Sequence, residues 1–457
     1  MNLLPYLAGC VALELILFVV PWKGQPAWVW ALLCITRNRH TETSAPVTVV
    51  NDRSSGGVRY QDSIAVTAIQ LLGKRHRATT LIGSTIAQTD NTIDLNDLLT
   101  LMKDNLGLSF ESASVVSYGA RRRSNGDYPR VYDTFIGTSP YAGRRETWLV
   151  LRINAIDNAE ALQWRTSVGS GALAATQRLA AALACRGIRT RVAGAADITE
   201  LDRRSGGDQG GWLTTYGCPV GDLDMPWSLR ADGIIQNLTL HPDATVTSSV
   251  TVRTPQQPAG SPNTALKTLP AQQARALGGH LCAPLRRVRG LPRDPLPPTL
   301  KVPIGSSGVL LGKIAGGDRL LMPLDEPGSH NHVHIAASDA IAKRIVIRLA
   351  ATGGQVAVHT TDLDRWSSVR MPNVVITDQT RPPAGTTVSV VDGTVLPAPR
   401  PPTVVSINVT DAPADLVISQ TGPASIEVTS GEQVHDLDFE LFRAENRYAA
   451  AELAPVA

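Results

Sequence analysis

The sequence lacks the cysteine pattern of a disulfide framework or a zinc site. Only five cysteines occur in 457 residues, their number is odd, and no two of them form a CxxC pair. Two of them, Cys10 and Cys34, lie in apolar N-terminal segments. This sparse usage is typical of a protein that works in a reducing compartment.

The chain also lacks a strong excess of charge of either sign. Lysine and arginine total 43 and aspartate and glutamate total 40, so the formal net charge is only +3. Nucleic-acid-binding domains usually carry a concentrated basic stripe, so we expect no nucleic-acid partner. Apolar residues make up 43% of the chain, which is enough to bury an ordinary globular core.

No motif of a known catalytic site is complete. No GxSxG sequence occurs, and no Cys/His pair suggests a nucleophile with its base. Gly308–Ile314 is similar to a phosphate-binding loop, but its glycines are one residue too close and Ile314 replaces the hydroxyl that would hold Mg²⁺. The turn at Ala337–Arg344 follows a predicted strand but lacks the glycines of a phosphate site. We therefore expect no catalytic residue, no cofactor-binding residue and no cofactor.

Three alternating histidines form a possible metal site. On a strand, His330, His332 and His334 would share one face, as metal ligands can. No cysteine or glutamate nearby completes a ligand set, so we expect a solvated edge or loop and no metal-binding residue.

The first 40 residues carry the clearest membrane signal. Leu3–Val20 contains one charged residue, Glu14, and its 18 residues are close to the length that spans a hydrocarbon core. A cleaved signal peptide would need a basic start and a small-residue cleavage site, and neither is present. A buried core helix is the other alternative, because a carboxylate in lipid is costly. We expect a membrane anchor.

A turn and a shorter apolar run follow this segment. Pro21–Pro26 breaks the helical pattern, and Ala27–Ile35 has only about half the usual spanning length. A two-helix hairpin and a single span with a re-entrant stub both fit. Arg37 and Arg39 end the run, and the positive-inside rule places them in the cytoplasm together with the large C-terminal region.

Strand and helix patterns alternate in the region after the anchor. A polar tether covers 41–57. Periodicity and capping residues predict the following elements: strands from Val58, at Ile64–Leu72, Ala113–Tyr118, Thr147–Ile153 and Ile188–Val192; helices at Asp94–Asn105, with Asp94 as N-cap, and at Asp157–Arg186, with Gly187 as C-cap; and a hairpin within Ser228–Arg253. Strand, helix and strand in this order are typical of an α/β domain.

A second α/β pattern begins near residue 300. It contains a βαβ unit and several short strands: Val333–Ala336, Ala340–Ala351, Gln355–His359, Val374–Thr377, Val388–Val391, Val404–Val409, Leu416–Ser419 and Ile426–Val428. The predicted division is a transmembrane anchor of one or two helices at 1–40, a cytosolic α/β domain at 41–282, a linker rich in proline and arginine at 283–299, and a second cytosolic α/β domain at 300–457. The predicted fold class is α/β with mixed sheets.

Two arginine clusters stand out in this region. One is Arg121–Arg123, and the other lies in the linker at Arg286, Arg287, Arg289 and Arg293. Basic residues near a cytoplasmic leaflet gain about 1 kcal/mol each from acidic lipids, so a lipid or partner surface is one interpretation. Solvated loops are the interpretation that we favour.

Five stretches along the chain form a recognisable set: Gly57–Tyr60, Arg145–Arg152 followed by an alanine-rich helix, Pro303–Gly312, Met322-Pro323 and Glu445–Tyr448. Together they resemble the EccE family of type VII (ESX) secretion proteins. The similarity extends over nearly the whole chain, and these stretches occur in the family's order. The short second apolar run departs from the family's usual two complete membrane helices.

The resemblance implies a structural membrane subunit rather than an enzyme. Such a subunit assembles with EccB, EccC, EccD and the mycosin protease in the inner membrane and contacts membrane lipid. EccC is the ATPase of that machinery, and the EccE family offers no catalytic residue to transfer. The resemblance does not say which ESX system the chain serves.

A membrane-anchored enzyme of glycosyltransferase-like α/β type is the alternative. Such enzymes often use a DxD metal motif, and three pairs have this spacing: Asp222/Asp224, Asp362/Asp364 and Asp436/Asp438. The spacing arises easily by chance in a chain with 40 acidic residues. Fold pattern alone supports this alternative, and that is an argument by association.

Overall fold

The computed structural model describes residues 43–51, 54–103, 105, 107–205, 210–326, 328, 330–408 and 413–449, and within the first 42 only 14, 21–22, 25–26 and 28–31. The predicted membrane segments at 3–20 and 27–35 therefore lie almost entirely outside the described residues. Among the residues that are described, no helix is long and apolar enough to cross a membrane.

Strands are the most numerous elements of the described structure. In chain order they are β1 (Pro21–Trp22), β2 (Gln25–Pro26), β3 (Val47–Val50), β4 (Ser55–Gln61), β5 (Ile64–Gly73), β6 (Thr79–Ile82), β7 (Ile86–Thr89), β8 (Thr92–Asp94), β9 (Ser112–Ala120), β10 (Arg144–Asn154), β11 (Arg189–Val192), β12 (Trp212–Gly217), β13 (Gly233–Leu240), β14 (Thr245–Thr254), β15 (Lys267–Thr268), β16 (Asp294–Pro295), β17 (Lys301–Pro303), β18 (Val309–Lys313), β19 (Arg319–Met322), β20 (Asn331–Ala336), β21 (Val356–Thr360), β22 (Val374–Thr377), β23 (Val388–Asp392), β24 (Thr403–Ile407), β25 (Leu416–Gly422), β26 (Ser425–Ser430) and β27 (Gln433–Phe439).

The helices are fewer and mostly short. They are α1 (Leu95–Met102), α2 (Asp127–Ile136), α3 (Ala159–Leu162), α4 (Val168–Cys185), α5 (Ala195–Ser205), α6 (Met225–Ser228), α7 (Gln273–Gly278), α8 (Asp339–Thr352), α9 (Leu363–Trp366) and α10 (Asn446–Ala449), with a 3₁₀ turn at Arg443–Glu445. The mixture of helices and large sheets confirms the predicted α/β class.

The first sheet is antiparallel at its centre. Its order is β15-β12-β14-β13-β9-β10-β5-β4-β3, with β11 beside β5 and β16 beside β14. Helices cover both faces: α4 packs on one face around Leu149 and Leu151, and α5 packs on the other around Trp148 and Val150. The alternation along β10 sends successive side chains to opposite cores, which explains why its central stretch Trp148–Leu151 is apolar without interruption.

The predicted strand–helix–strand unit exists, with one correction. Both β10 and β11 pair antiparallel with β5, so they run parallel to each other on either side of it. The single helix predicted at Asp157–Arg186 is two helices, α3 and α4. The break has a local cause, because Ser167 caps α4 by accepting a hydrogen bond from the Ser170 backbone N–H, and the Ser170 side chain bonds back to Ser167.

The second sheet joins a parallel part to an antiparallel part. Its order is β22-β21-β23-β24-β20-β25-β26-β27-β18-β19-β6-β7, and the pairs from β22 to β25 are parallel. The predicted βαβ unit is β20, α8 and β21. Nearly every residue of α8 is buried, because the sheet covers one of its sides and α2, β18 and α10 pack around the others.

Segments from the N-terminal half complete this second core. The hairpin β6–β7 extends the second sheet through β19, although it precedes the predicted boundary by more than 200 residues. Helix α2 places Tyr128, Tyr132 and Ile136 in the same core. In the other direction, β17 pairs with β8 beside the first sheet. The division at 283–299 stays a prediction, and the two cores exchange segments across it.

A buried arginine holds four parts of the second core together. Arg348, on α8, is fully buried and lies 2.7 Å from Glu445, which is also fully buried. The same guanidinium donates to the Leu310 carbonyl at 2.9 Å, and the Tyr128 hydroxyl donates to Glu445 at 2.6 Å. Burial alone would lower the pKa of Arg348, but the hydrogen bonds and charge of Glu445 outweigh burial and raise it.

Arg348→Met should destabilise the protein by about 3–5 kcal/mol, because the change leaves the Glu445 carboxylate buried without its main partner. Arg348→Met combined with Glu445→Leu should recover most of the loss, since neither charge remains. Arg381→Met, at an exposed position, is the matched control. The measurement is urea unfolding of the purified full chain. A single variant as stable as the control would contradict this role for the ion pair.

Gly308 lies where two backbones meet. Its φ is +84°, and a Cβ there would stand 2.2 Å from the carbonyl carbon and oxygen of Met322. Gly385 has nearly the same φ, +82°, but a Cβ there would have no atom within 4 Å. The two glycines share a left-handed conformation and differ only in the space around them.

Gly308→Ala should therefore cost about 3 kcal/mol more than Gly385→Ala, whose cost should be about 1–2 kcal/mol from conformation alone. Thermal unfolding of the two purified variants beside the parent measures the difference. Equal losses in the two variants would show that Met322 moves aside and that the close approach is not a constraint.

Candidate functional site at the junction of the two sheets

Two of the stretches that carry the family resemblance lie side by side at the junction of the two sheets. Arg145 donates from its backbone to the Ser306 hydroxyl at 2.9 Å and from its side chain to the Gly305 carbonyl at 2.7 Å. The Thr147 hydroxyl donates to the Ile304 carbonyl at 2.9 Å. These bonds join β10 of the first sheet to the segment that leads into β18 of the second.

A second set of polar contacts closes the junction near the start of β6. His76 is fully buried, with its backbone N–H donating to Glu326 at 2.6 Å and its Nδ1 within 2.7 Å of the Pro323 carbonyl. Glu326 also pairs with Arg189 of β11 at 2.8 Å. The junction is therefore bonded from both sheets through buried polar groups, which are costly to leave without partners.

The polar tether is fastened to the first sheet by another arginine. Arg59, in the Gly57–Tyr60 stretch, is buried and pairs with Asp202 of α5 at 2.6 Å. Its guanidinium also donates to the Ser44 carbonyl at 2.6 Å and the Cys282 carbonyl at 2.7 Å. Ser44 belongs to the segment that connects to the apolar N-terminus, so Arg59 fixes that connection to the core.

The interpretation of Arg121–Arg123 as a solvated loop is wrong for Arg121. This side chain is fully buried and pairs with Asp133 at 2.9 Å. It also donates to the carbonyls of Gly137, Ser139 and Trp227. Composition alone suggested solvent, but α2 supplies a carboxylate, the turn after it supplies two carbonyls and α6 supplies a third, and together they satisfy the buried charge.

The next two arginines line a cleft between the sheets. We define the arginine cleft as the cavity of about 1010 Å³ whose basic lining residues are Arg122, Arg123, Arg144, Arg204 and Arg253. Its acidic lining residues are Glu146 and Asp232. The first sheet forms one wall, and the C-terminal end of α8 contributes Thr352 and Gly353 to the other.

The arginines of the cleft differ in how far their charges are neutralised. Arg204 pairs with Glu146 at 2.6 Å and with Glu200 at 2.9 Å. Burial alone would lower the pKa of Arg204, but these carboxylates outweigh it and raise the pKa. Burial lowers the pKa of Arg253, and the charge of Asp232 offsets this effect only in part.

The stretch that is similar to a phosphate-binding loop is a strand. Residues 309–313 form β18, and Lys313 lies 3.5 Å from Glu440 at a half-exposed position. The turn at Ala337–Arg344 does open a helix, α8, but its Asp339 carboxylate pairs with Arg365. An acidic group at the first turn of the helix disfavours a phosphate at that terminus.

The histidines take part in local hydrogen bonding. His332 and His334 share a face of β20, as predicted, and both lie near the Ser406 hydroxyl, at 3.1 Å and 3.2 Å. His332 Nδ1 is also 2.9 Å from the Pro413 carbonyl. Within the described part of the chain, no group of three or more potential metal ligands is found.

The three DxD pairs lie in unrelated surroundings. Asp222 accepts from the Met225 backbone, and burial raises the pKa of Asp224 although Arg145 partly offsets it. Asp362 caps α9, and Asp436 and Asp438 are exposed on β27. The alternative of a glycosyltransferase-like enzyme finds no support in these positions.

Other residues considered at the sequence level lie apart from the junction. Glu14 is helical and exposed. The linker arginines Arg286, Arg287 and Arg289 are exposed, and Arg293 lies 3.8 Å from Asp243. The solvated interpretation thus holds for the linker cluster. Of the arginine cleft, only Arg122 and Arg123 belong to a cluster that stands out in the sequence, because the lining comes from segments up to 269 residues apart, from Tyr118 to Thr387.

Comparison with known proteins identifies the family. Residues 141–215 match the family described as "Putative type VII ESX secretion system translocon, EccE". This range contains β10 with its junction contacts, α4, and the Arg144, Glu146 and Arg204 side chains of the cleft.

Relatives with similar sequences extend the match to nearly the whole chain. The chain is 43% identical over 488 aligned positions to the ESX-2 secretion system protein EccE2 of Mycobacterium tuberculosis, covering 97% of this chain and 91% of that protein. It is 28% identical to the ESX-1 secretion system protein EccE1 of the same species, over 73% of this chain and 72% of that protein. The ESX-5 secretion system protein EccE5 of Mycobacterium marinum is 28% identical over 42% of this chain and 52% of that protein. The chain belongs to the EccE family of ESX secretion system proteins.

Proposed function

We propose that this protein is a structural membrane subunit of a type VII secretion complex. In this role residues 1–40 anchor it in the inner membrane, the large C-terminal region lies in the cytoplasm, and the folded part supports the assembly and stability of the translocation machinery. Its partners would be EccB, EccC, EccD and the mycosin subunit, together with membrane lipid.

One observation carries the structural role. The stretches that mark the family are used for internal bonding: Arg59 binds the tether, Arg145 binds the 303–312 segment, and Glu445 binds Arg348. A residue held by buried partners on several elements makes the fold rigid and is not free to act on a substrate. Because the stretches that resemble the family contain such residues, the resemblance favours a structural role over a catalytic one.

The proposal assigns no catalytic, cofactor-binding or metal-binding residue to the chain. The stretch that is similar to a phosphate-binding loop forms strand β18, and its Lys313 pairs with Glu440. The three DxD pairs lie in different parts of the fold and do not form one acidic site. A glycosyltransferase-like enzyme would turn over a nucleotide sugar by itself, whereas a subunit would do its work only within a complex. Copurification therefore separates the two functions.

Cys185 offers a native probe of the proposed topology. It is exposed at the end of α4, whereas Cys218 and Cys282 are buried. If the region after Arg39 is cytoplasmic, a membrane-impermeant maleimide should label Cys185 only after the cells are permeabilised. Cys185→Ser is the control that identifies the labelled site. Labelling of intact cells that disappears in this control would place the domain outside the cytoplasm.

Glu14 distinguishes a packed anchor from a simple tether. A carboxylate within a spanning helix costs about 2.5–3.5 kcal/mol, and such groups usually face a protein partner or a water-filled cavity. Glu14→Leu should improve insertion but reduce copurification with EccC and EccD, because helices in lipid associate through close packing and polar contacts. Ala12→Leu, an apolar change in the same segment, should leave copurification unchanged.

The parent protein must itself copurify with EccC and EccD from membranes. If it does not, and if it hydrolyses a nucleotide sugar alone, the structural role is wrong. If the Glu14→Leu variant assembles and secretes as the parent does, the anchor is a tether without a specific contact at that position.

A further inference from the structure

The arginine cleft continues into a second cavity, whose lining contains more acidic than basic residues. The smaller cavity, of about 230 Å³, shares Arg144, Glu146, Arg204 and Thr387 with the arginine cleft. Its other charged lining residues are Arg191, Asp197, Glu200, Asp325 and Glu326. The two cavities therefore form one groove between the sheets, with arginines in excess at one end and carboxylates in excess at the other.

Three arginines at the arginine end are not neutralised by an ion pair. Arg122, Arg123 and Arg253 are half-buried, and none of them forms an ion pair with another described residue. Arg122 donates to the carbonyls of Arg123 and Ser124, and Arg253 donates to the carbonyls of Arg204 and Gly210. Among the described residues, the buried Arg123 Nε has no hydrogen-bond acceptor. A guanidinium that is partly removed from water and has only carbonyl partners gains most from an incoming carboxylate.

We propose that the arginine cleft binds an extended acidic segment of a partner protein. Clusters of arginines recognise acidic motifs because each planar guanidinium can hold a carboxylate through two parallel hydrogen bonds. An extended segment can lie along the whole groove, with its acidic residues beside Arg122, Arg123 and Arg253 and neutral or basic residues toward Asp325 and Glu326.

The groove is less suited to other anions. Many nucleotide and phosphate sites use backbone N–H groups at a helix N-terminus, but the C-terminus of α8, which lines this cleft, carries the negative end of the helix dipole and disfavours the dianionic charge of a phosphate. Nucleic acid would have to pass the carboxylates of the adjoining cavity, which repel its phosphates. A peptide segment can match charges of both signs.

The test uses a fluorescein-labelled peptide of about ten residues, with glutamate and serine alternating in one half and only serine in the other, titrated with the purified full chain in detergent. Arg122→Gln/Arg123→Gln should weaken binding about fivefold, since each half-exposed charge contributes modestly. Arg286→Gln/Arg287→Gln, in the exposed linker, removes the same charge and should leave binding unchanged. The anisotropy signal should also fall as salt is raised.

A second variant covers the case in which the double change fails to fold. Asn125 is exposed and lines the cleft, so Asn125→Glu places a repelling charge there without removing a hydrogen bond to the core. It should weaken peptide binding as well, with an unfolding temperature equal to that of the parent.

Three results would overturn the proposal. The first is that the parent does not bind the peptide. The second is that the cleft variant and the linker variant lose the same amount of peptide affinity. The third is that ATP binds with the same dependence on Arg122 and Arg123 and displaces the peptide. The peptide titration is made on the isolated chain, so a negative result there does not contradict the proposed role in assembly. A negative copurification result, in turn, does not contradict the proposal for the arginine cleft.

Discussion

The buried charge of Arg348 is the constraint around which the second core is built. A guanidinium at the centre of a core is tolerated only when acceptors surround it, and here they come from β18 and from the 3₁₀ turn at Arg443–Glu445. Tyr128 of α2 donates in turn to the same Glu445 carboxylate. These elements lie more than 300 residues apart in the chain, from Tyr128 to Glu445. The core is complete only when the N-terminal half has supplied α2, so the two halves of the chain depend on each other.

The elements that could be predicted from the sequence are those with strong local signals. Asp94 caps α1 as predicted because an aspartate before a helical apolar pattern is a local signature. The βαβ unit of β20, α8 and β21 follows from two short strand-like stretches that flank a predominantly apolar segment of helical length. Helix α2 was missed because it follows a basic, glycine-containing loop and has a proline in its first turn. The hairpin β6–β7 was missed because its strands are short and half polar, and it is held by β19 from a distant part of the chain.

The candidate site was harder to predict because burial of charge depends on distant partners. Three successive arginines at 121–123 have the composition of a solvated loop, yet the first is buried by carbonyls that only the fold brings to it. The cleft beside them has no sequence signature, since its arginines come from β10, α5, β14 and the loop before α2. The family resemblance was the stronger guide, and the 43% identical relative confirms it.

The positions of the family stretches give a physical reason for their order along the chain. Arg59 fixes the tether to the first sheet, Arg145 and Thr147 fix that sheet to the 303–312 segment, and Leu310 in that segment accepts from Arg348, which holds Glu445. Each of these hydrogen bonds involves a buried or half-buried group, so water competes little for the donor and the acceptor. The tether and the C-terminal turn are therefore connected through a series of hydrogen-bonded elements. This continuity suits a structural subunit whose surfaces keep fixed positions relative to one another.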